Sequence, residues 1–197
     1  MFYWFVAGLC RIFFSVFFRV EYKGLENVPK EGPLIVCCNH ISLLDMFLFG
    51  HRIPRKVYFM AKKELFRIPV LNTIIKALGA FPVNRGHGDL NAAKTTLQLL
   101  NEGKAVGIFP EGTRSKKAKA RVKPKSGAVL FALESGAPIL PVGIFGNYRI
   151  FSKIRVVYGK PFRIERNNDE KAAKADLQKM AEDLMDKIYS LQNEQSC

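Results

Sequence analysis

The run Leu34-Ile35-Val36-Cys37-Cys38 is apolar at every position and stops abruptly at Asn39-His40. A half-buried strand would alternate apolar with polar, so an unbroken run of this length fits a strand covered on both faces. Comparable runs occur at 57–61, 80–83, 105–109, 139–145 and 154–158, and 20–24 has the look of a short edge strand. Helical patterns fill the intervals. Residues 43–49 make a short helix, 69–78 begins with a proline, and Asp89 stands where it can cap 90–102 before Gly103 closes that helix. Residues 127–134 form another, ended by Gly136, and Leu177, Met180, Ala181, Leu184, Ile188 and Leu191 mark one face of a last amphipathic helix. This alternation predicts a single α/β domain with a mostly parallel, mixed sheet flanked by helices. In such sheets chemistry gathers beyond the carboxyl ends of the strands.

A chain of 197 residues is long enough to bury a real core. Its 31 lysines and arginines against 17 acidic residues leave a formal charge of +14, a field that attracts anionic lipid, phosphorylated substrates or nucleic acid. No nucleic-acid-binding motif accompanies the charge. The basic run KKAKARVKPK (116–125) has no interleaved aromatics, so an anionic leaflet or an acidic carrier suits it better, with a solvated loop as the plain alternative. Cysteines at 10, 37, 38 and 197 form neither a CxxC pair nor a Cys/His cluster, which argues for free thiols and against structural zinc. No cofactor is expected.

Residues 1–20, MFYWFVAGLCRIFFSVFFRV, hold eight aromatics. Arg11 interrupts them, so no stretch reaches the ~20 apolar residues that a spanning helix needs. Wound as a helix, Ala7, Gly8, Arg11, Ser15 and Arg19 share one side, with Phe2, Phe5, Leu9, Phe13, Val16 and Val20 on the other. The expectation is an amphipathic helix over 1–20 lying in one leaflet on the cytoplasmic face of a cell membrane, followed by a catalytic domain over 21–197. Packing of that helix on its own domain or on a second copy, and a single spanning helix, are the alternatives.

Three polar segments each follow an expected strand: NHISLLD (39–45), FPVNR (81–85) and FPEGTRS (109–115). His40 can act as a base near neutral pH, and a carboxylate five positions on can hold its second ring nitrogen if the chain turns into a helix at once. Taken alone, the pair could equally be a strand end and a helix cap. No GxSxG elbow supplies a nucleophile, and Ser42 fits a cap better than an attacking hydroxyl. A histidine and a carboxylate without an enzyme nucleophile suit a reaction that activates a hydroxyl of the substrate. Gly112 lets backbone N–H groups approach a ligand, while Thr113, Ser115, Arg114 and Arg85 can bind phosphate oxygens. Glu111 could accept from a substrate hydroxyl or orient Arg114.

Together these segments resemble the glycerolipid acyltransferases. NHISLLD matches that family's NHxxxxD signature, FPVNR and FPEGTRS are similar to its second and third blocks, and APILPV (137–142) is similar to its fourth, all in the family's order. In length and wording the chain looks most like the branch that acylates 1-acyl-sn-glycerol 3-phosphate. The resemblance implies a glycerol-3-phosphate acyltransferase-like fold and direct transfer of a fatty acyl group from an acyl carrier protein or coenzyme A thioester to the sn-2 hydroxyl of lysophosphatidic acid, giving phosphatidic acid. It makes His40 the general base and Asp45 its orienting carboxylate, and assigns Arg85, Glu111, Gly112, Thr113, Arg114 and Lys62 to the substrate. Asn84 before Arg85 departs from the charged residue frequent there. Acylation of glycerol 3-phosphate or of another lysolipid is the nearest alternative, with thioester hydrolysis and non-enzymatic binding of anionic lipid as more distant ones.

Overall fold

Apolar runs that must be covered on both faces need a central sheet, and the computed structural model has one of seven strands. It describes residues 1–84, 88–114, 122–165 and 174–193. The strands are β1 (Arg19–Lys23), β2 (Leu34–Cys38), β3 (Val57–Lys62), β4 (Ala80–Val83), β5 (Ala105–Ile108), β6 (Ile139–Gly146) and β7 (Lys153–Tyr158), in the spatial order β1-β7-β6-β2-β5-β3-β4. Strands β6, β2, β5, β3 and β4 are mutually parallel, β7 runs antiparallel to β6, and β1 joins β7 in parallel at the edge. Strand β2 is therefore interior to the sheet, and helices cover both of its faces, which accounts for its uninterrupted apolar character.

The helices are α1 (Phe2–Phe17), α2 (Asp45–Gly50), α3 (Pro69–Ala77), α4 (Leu90–Asn101), α5 (Gly127–Ser135) and α6 (Lys174–Ser190). Their ends follow local rules. The Asp89 carboxylate accepts from the amides of Asn91 and Ala92 at the start of α4, and Gly136 ends α5 with φ 64°. Successive side chains of β2 enter different cores, as alternation requires. Leu34, Val36 and Cys38 pack on the side of α1 and α2, while Ile35 and Cys37 join the core of α4, α5 and α6. The thiols of Cys10, Cys37 and Cys38 are free.

Helix α1 lies on the domain. Phe14 is buried against His51, its ring stacked at 5.7 Å, and Phe18 just beyond the helix is buried beside Tyr148. Tyr3 accepts a hydrogen bond from the Val57 amide through its hydroxyl. Burying a Phe14-sized ring contributes about 1.5–3 kcal/mol, so this contact fixes the helix. The opposite face keeps Phe2, Trp4, Phe5, Leu9, Ile12, Phe13 and Val16 exposed. The amphipathic expectation and its packing alternative thus describe two stripes of one helix. No described helix is long and apolar enough to cross a membrane.

Candidate active site

Parallel strands deliver their carboxyl ends to one rim, and three chain segments leave that rim beside each other: 39–44 after β2, 109–114 after β5 and 147–152 after β6. Asn39 manages the departure of β2. Its side-chain amide donates to the Ile144 carbonyl (2.9 Å) and accepts from the Ile144 amide (2.8 Å). The side chain thus stands in for one more ladder pair on β6 after the backbone has turned away. Unpaired and buried, those two groups of Ile144 would cost roughly 1–3 kcal/mol each.

The freed backbone turns into α2 around Asp45. One oxygen of its carboxylate, Oδ2, accepts from His40 Nδ1 (2.8 Å) and from the amides of Ile41 (2.7 Å) and Ser42 (2.8 Å). The other, Oδ1, accepts from the Tyr148 hydroxyl at 2.6 Å. Asp45 is completely buried, and every contact on its carboxylate comes from a hydrogen-bond donor. The imidazole is locked in turn: Nδ1 faces Asp45, and the ring stacks on Phe109 with centroids 4.0 Å apart. Nδ1–H donation to Asp45 makes Nε2 the nitrogen with a free lone pair. Ser42 serves locally, its hydroxyl oxygen accepting from the Leu44 amide.

Glu111, also buried, ties the rim together. One carboxylate oxygen accepts from the His40 backbone amide (3.1 Å) and the other from the Tyr189 hydroxyl (2.6 Å) on α6. It therefore holds the turn at 39–44 against the last helix and makes no ion pair with Arg114. Gly112 adopts φ 65°, and a Cβ there would meet the Lys125 side chain at 3.0 Å. Lys125 thus lies over the turn at 110–113, and both Gly112 and Lys125 line the cavity that His40 opens onto.

That cavity, about 400 Å³, runs from His40 and Phe109 between α4 and α5, with Met60, Val83, Leu130 and Phe131 in its walls. It is mainly apolar, with His40, Asn84, Asp89 and Lys125 as the polar side chains of its lining, a composition suited to a chain with a reactive polar end. A second apolar groove of about 240 Å³ separates α1 from α2 and α3, on the opposite face of the sheet. Among the described residues, no three His, Cys, Asp or Glu side chains converge as a metal site.

The expected site residues divide accordingly. His40, Asp45, Glu111 and Gly112 stand together at the rim, and Thr113 and Arg114 extend from it exposed to solvent. Lys62 ends β3 on the same rim but pairs with Glu64 at 3.4 Å and does not line the cavity. Arg85, Ser115 and the basic residues 116–121, with His87 and Cys197, lie outside the described residues. Tyr148, Tyr189 and Lys125 are additions to the expected set. Tyr148 is 103 positions from Asp45 and Tyr189 is 78 from Glu111, separations at which no local pattern speaks. Lys125 had a visible signal, since it follows Pro124 at the end of the basic run.

Comparison with known proteins agrees with this architecture. A family model described as Acyltransferase matches residues 19–145, which takes in His40, Asp45 and the 109–114 turn. The 1-acyl-sn-glycerol-3-phosphate acyltransferase of Bacillus subtilis is 32% identical over 97% of this chain and 97% of its own length. The protein of that name from Borreliella burgdorferi is 36% identical over 68% of this chain and 54% of its own. Among solved structures, the 1-acyl-sn-glycerophosphate (LPA) acyltransferase PlsC of Thermotoga maritima superposes with a TM-score of 0.73 at 25% identity, covering 98% of this chain and 79% of that one. A full-length relative and a matched domain that contains the histidine–aspartate rim lead to one conclusion: this chain belongs to the acyltransferase family.

Proposed function

We propose that this protein is a 1-acyl-sn-glycerol-3-phosphate O-acyltransferase, forming phosphatidic acid by transfer of a fatty acyl group from a thioester to the sn-2 hydroxyl of lysophosphatidic acid. The observation that carries this reading is a buried, Asp45-oriented His40 in the wall of an apolar cavity that Gly112 and Lys125 also line. His40 Nε2 takes the proton of the acceptor hydroxyl as its oxygen attacks the thioester carbonyl. The new C–O bond forms, the C–S bond breaks, and the proton passes from the imidazolium to the departing thiolate. Asp45 holds the imidazolium throughout. No acyl-enzyme forms, because no protein nucleophile takes part. Arg114 and Lys125, with Arg85, are the cations for the acceptor phosphate, and Gly112 and Thr113 complete that subsite. The cavity between α4 and α5 takes the acyl chain of the donor.

The exposed aromatic stripe of α1 supports binding to the cytoplasmic face of a membrane, where a lysolipid acceptor resides. The donor is an acyl carrier protein or coenzyme A thioester, and the basic field suits either. Purified protein incubated with both donors against lysophosphatidic acid and glycerol 3-phosphate, with products identified by mass, tests the assignment. Phosphatidic acid from the lysolipid is expected. Free thiol without a new acylated lipid would instead identify a thioesterase.

A further inference from the structure

On the side of α1 away from its exposed apolar stripe, a cleft of about 710 Å³ lies between the helix, β1 and the end of α2. Arg11, Arg19, Arg52 and Lys153 all line it, and Glu21 is its sole carboxylate. Glu21 is already engaged by Lys23 (3.0 Å) and Lys153 (3.9 Å). No described carboxylate lies within ion-pairing distance of Arg11, Arg19 or Arg52. Arg52 is positioned by its stack on the Tyr22 ring, 4.8 Å from the centroid. Arg11 of α1 and Arg19 just beyond it therefore line the same cleft as Arg52, which follows α2, and the one carboxylate there is already shared by two lysines. Arginine is the cation that grips phosphate oxygens two at a time, and a group of them without carboxylate partners is suited to a phosphate.

The position says which anion. Leu9, Ile12, Phe13 and Val16 are exposed on the same helical turns that carry Arg11 and Ser15. If the apolar stripe sits ~5–10 Å into the acyl boundary of a leaflet, residues on the far side of a helix ~10 Å across lie at phosphate depth. We propose that this cleft binds the phosphate of an anionic lipid headgroup, fixing the helix, and with it the His40 rim, on the membrane surface. The site is separate from the acceptor subsite at Arg114 and Lys125. It rests on the membrane-surface role of α1 given above but not on acyl transfer.

Vesicle co-sedimentation tests it without reference to turnover. Wild type, R11Q, R11Q/R52Q and the charge-matched control K94Q/K179Q are compared on phosphatidylcholine vesicles with and without phosphatidic acid. Lys94 and Lys179 are exposed on α4 and α6, across the sheet from the cleft. R11Q leaves the Arg52–Tyr22 stack in place and guards against a folding defect. The R11Q/R52Q pair is expected to lose about tenfold or more of the gain in affinity that phosphatidic acid confers, R11Q part of it, and the control less than about twofold. A second arm titrates inorganic phosphate into vesicle-free protein. Loss in both arms means the phosphate group itself is recognised, and loss on vesicles alone means that the bilayer must present it. Equal loss in K94Q/K179Q, or none in R11Q/R52Q, overturns the site. Wild type that binds all vesicles alike would also overturn it while leaving the role of α1 intact, whereas failure to bind any vesicle removes both.

Discussion

Asp45 receives four donors on its two oxygens, and three of them come from within five residues of it in the chain. That local part was legible: the spacing of His40 and Asp45 closes only if the backbone turns between them, and the polar stop after a buried strand marked the place. The fourth donor was not legible, because Tyr148 reaches Asp45 only through the pairing of β6 with β2. Burial and the facing Asp45 carboxylate both push the Tyr148 hydroxyl well above the usual tyrosine range, so it stays a donor at every working pH. Tyr148 therefore acts through Asp45, as a positioning residue. Removing its hydroxyl loses one hydrogen bond to a charged group, worth roughly 1.5–3 kcal/mol. Y148F should lower kcat about tenfold or more with KM little changed, read from steady-state kinetics. A KM effect alone would instead make Tyr148 a substrate contact.

At the scale of elements, the expected helices and strands were found close to their expected positions, since Gly, Pro and capping residues mark their ends. Strand β2 spans residues 34–38 as expected, and β3 gains only Lys62. Helix α1 shows where periodicity stops informing. Its domain-facing stripe (Tyr3, Cys10, Phe14) and its outward stripe (Phe5, Leu9, Ile12, Val16) are both apolar, so a single hydrophobic pattern cannot say which one packs. The difference is measurable. F14A should destabilise the protein by about 3–5 kcal/mol in urea unfolding, because it empties a buried ring site. F5S/L9S should change stability by less than about 0.5 kcal/mol and yet weaken vesicle binding. Comparable destabilisation by the two would mean that α1 is buried on both faces.

Across the whole molecule, a sheet whose parallel strands end on one rim explains why the segments 39–44, 109–114 and 147–152, far apart in sequence, meet. The alternation of strand and helix patterns predicted that rim; the strand order did not follow from it, because long-range pairing carries no local signature. Burial also gives the molecule a shared pH response. It raises the thiols of Cys37 and Cys38 and the hydroxyls of Tyr22, Tyr148 and Tyr158 above their ordinary values. Above about pH 8.5 the unfolded chain releases cysteine protons, and near pH 10 tyrosine protons, that the folded chain keeps. The folded state then binds more protons than the unfolded one, so stability falls as pH rises. The urea midpoint should drop between about pH 7.5 and pH 9.5, and iodoacetamide should spare Cys37 and Cys38 until the protein unfolds. Rapid native-state alkylation of either would contradict this core.

The role proposed for His40 is that of the base that activates a lipid hydroxyl. The measurement that reaches it most directly is the rate at which H40A forms phosphatidic acid from an acyl thioester and lysophosphatidic acid, beside wild type, with folding checked by circular dichroism. General-base catalysis is typically worth 10²–10⁴-fold, so a folded H40A should be slower by about that factor while still binding vesicles. A folded H40A that forms phosphatidic acid within tenfold of the wild-type rate would contradict the account.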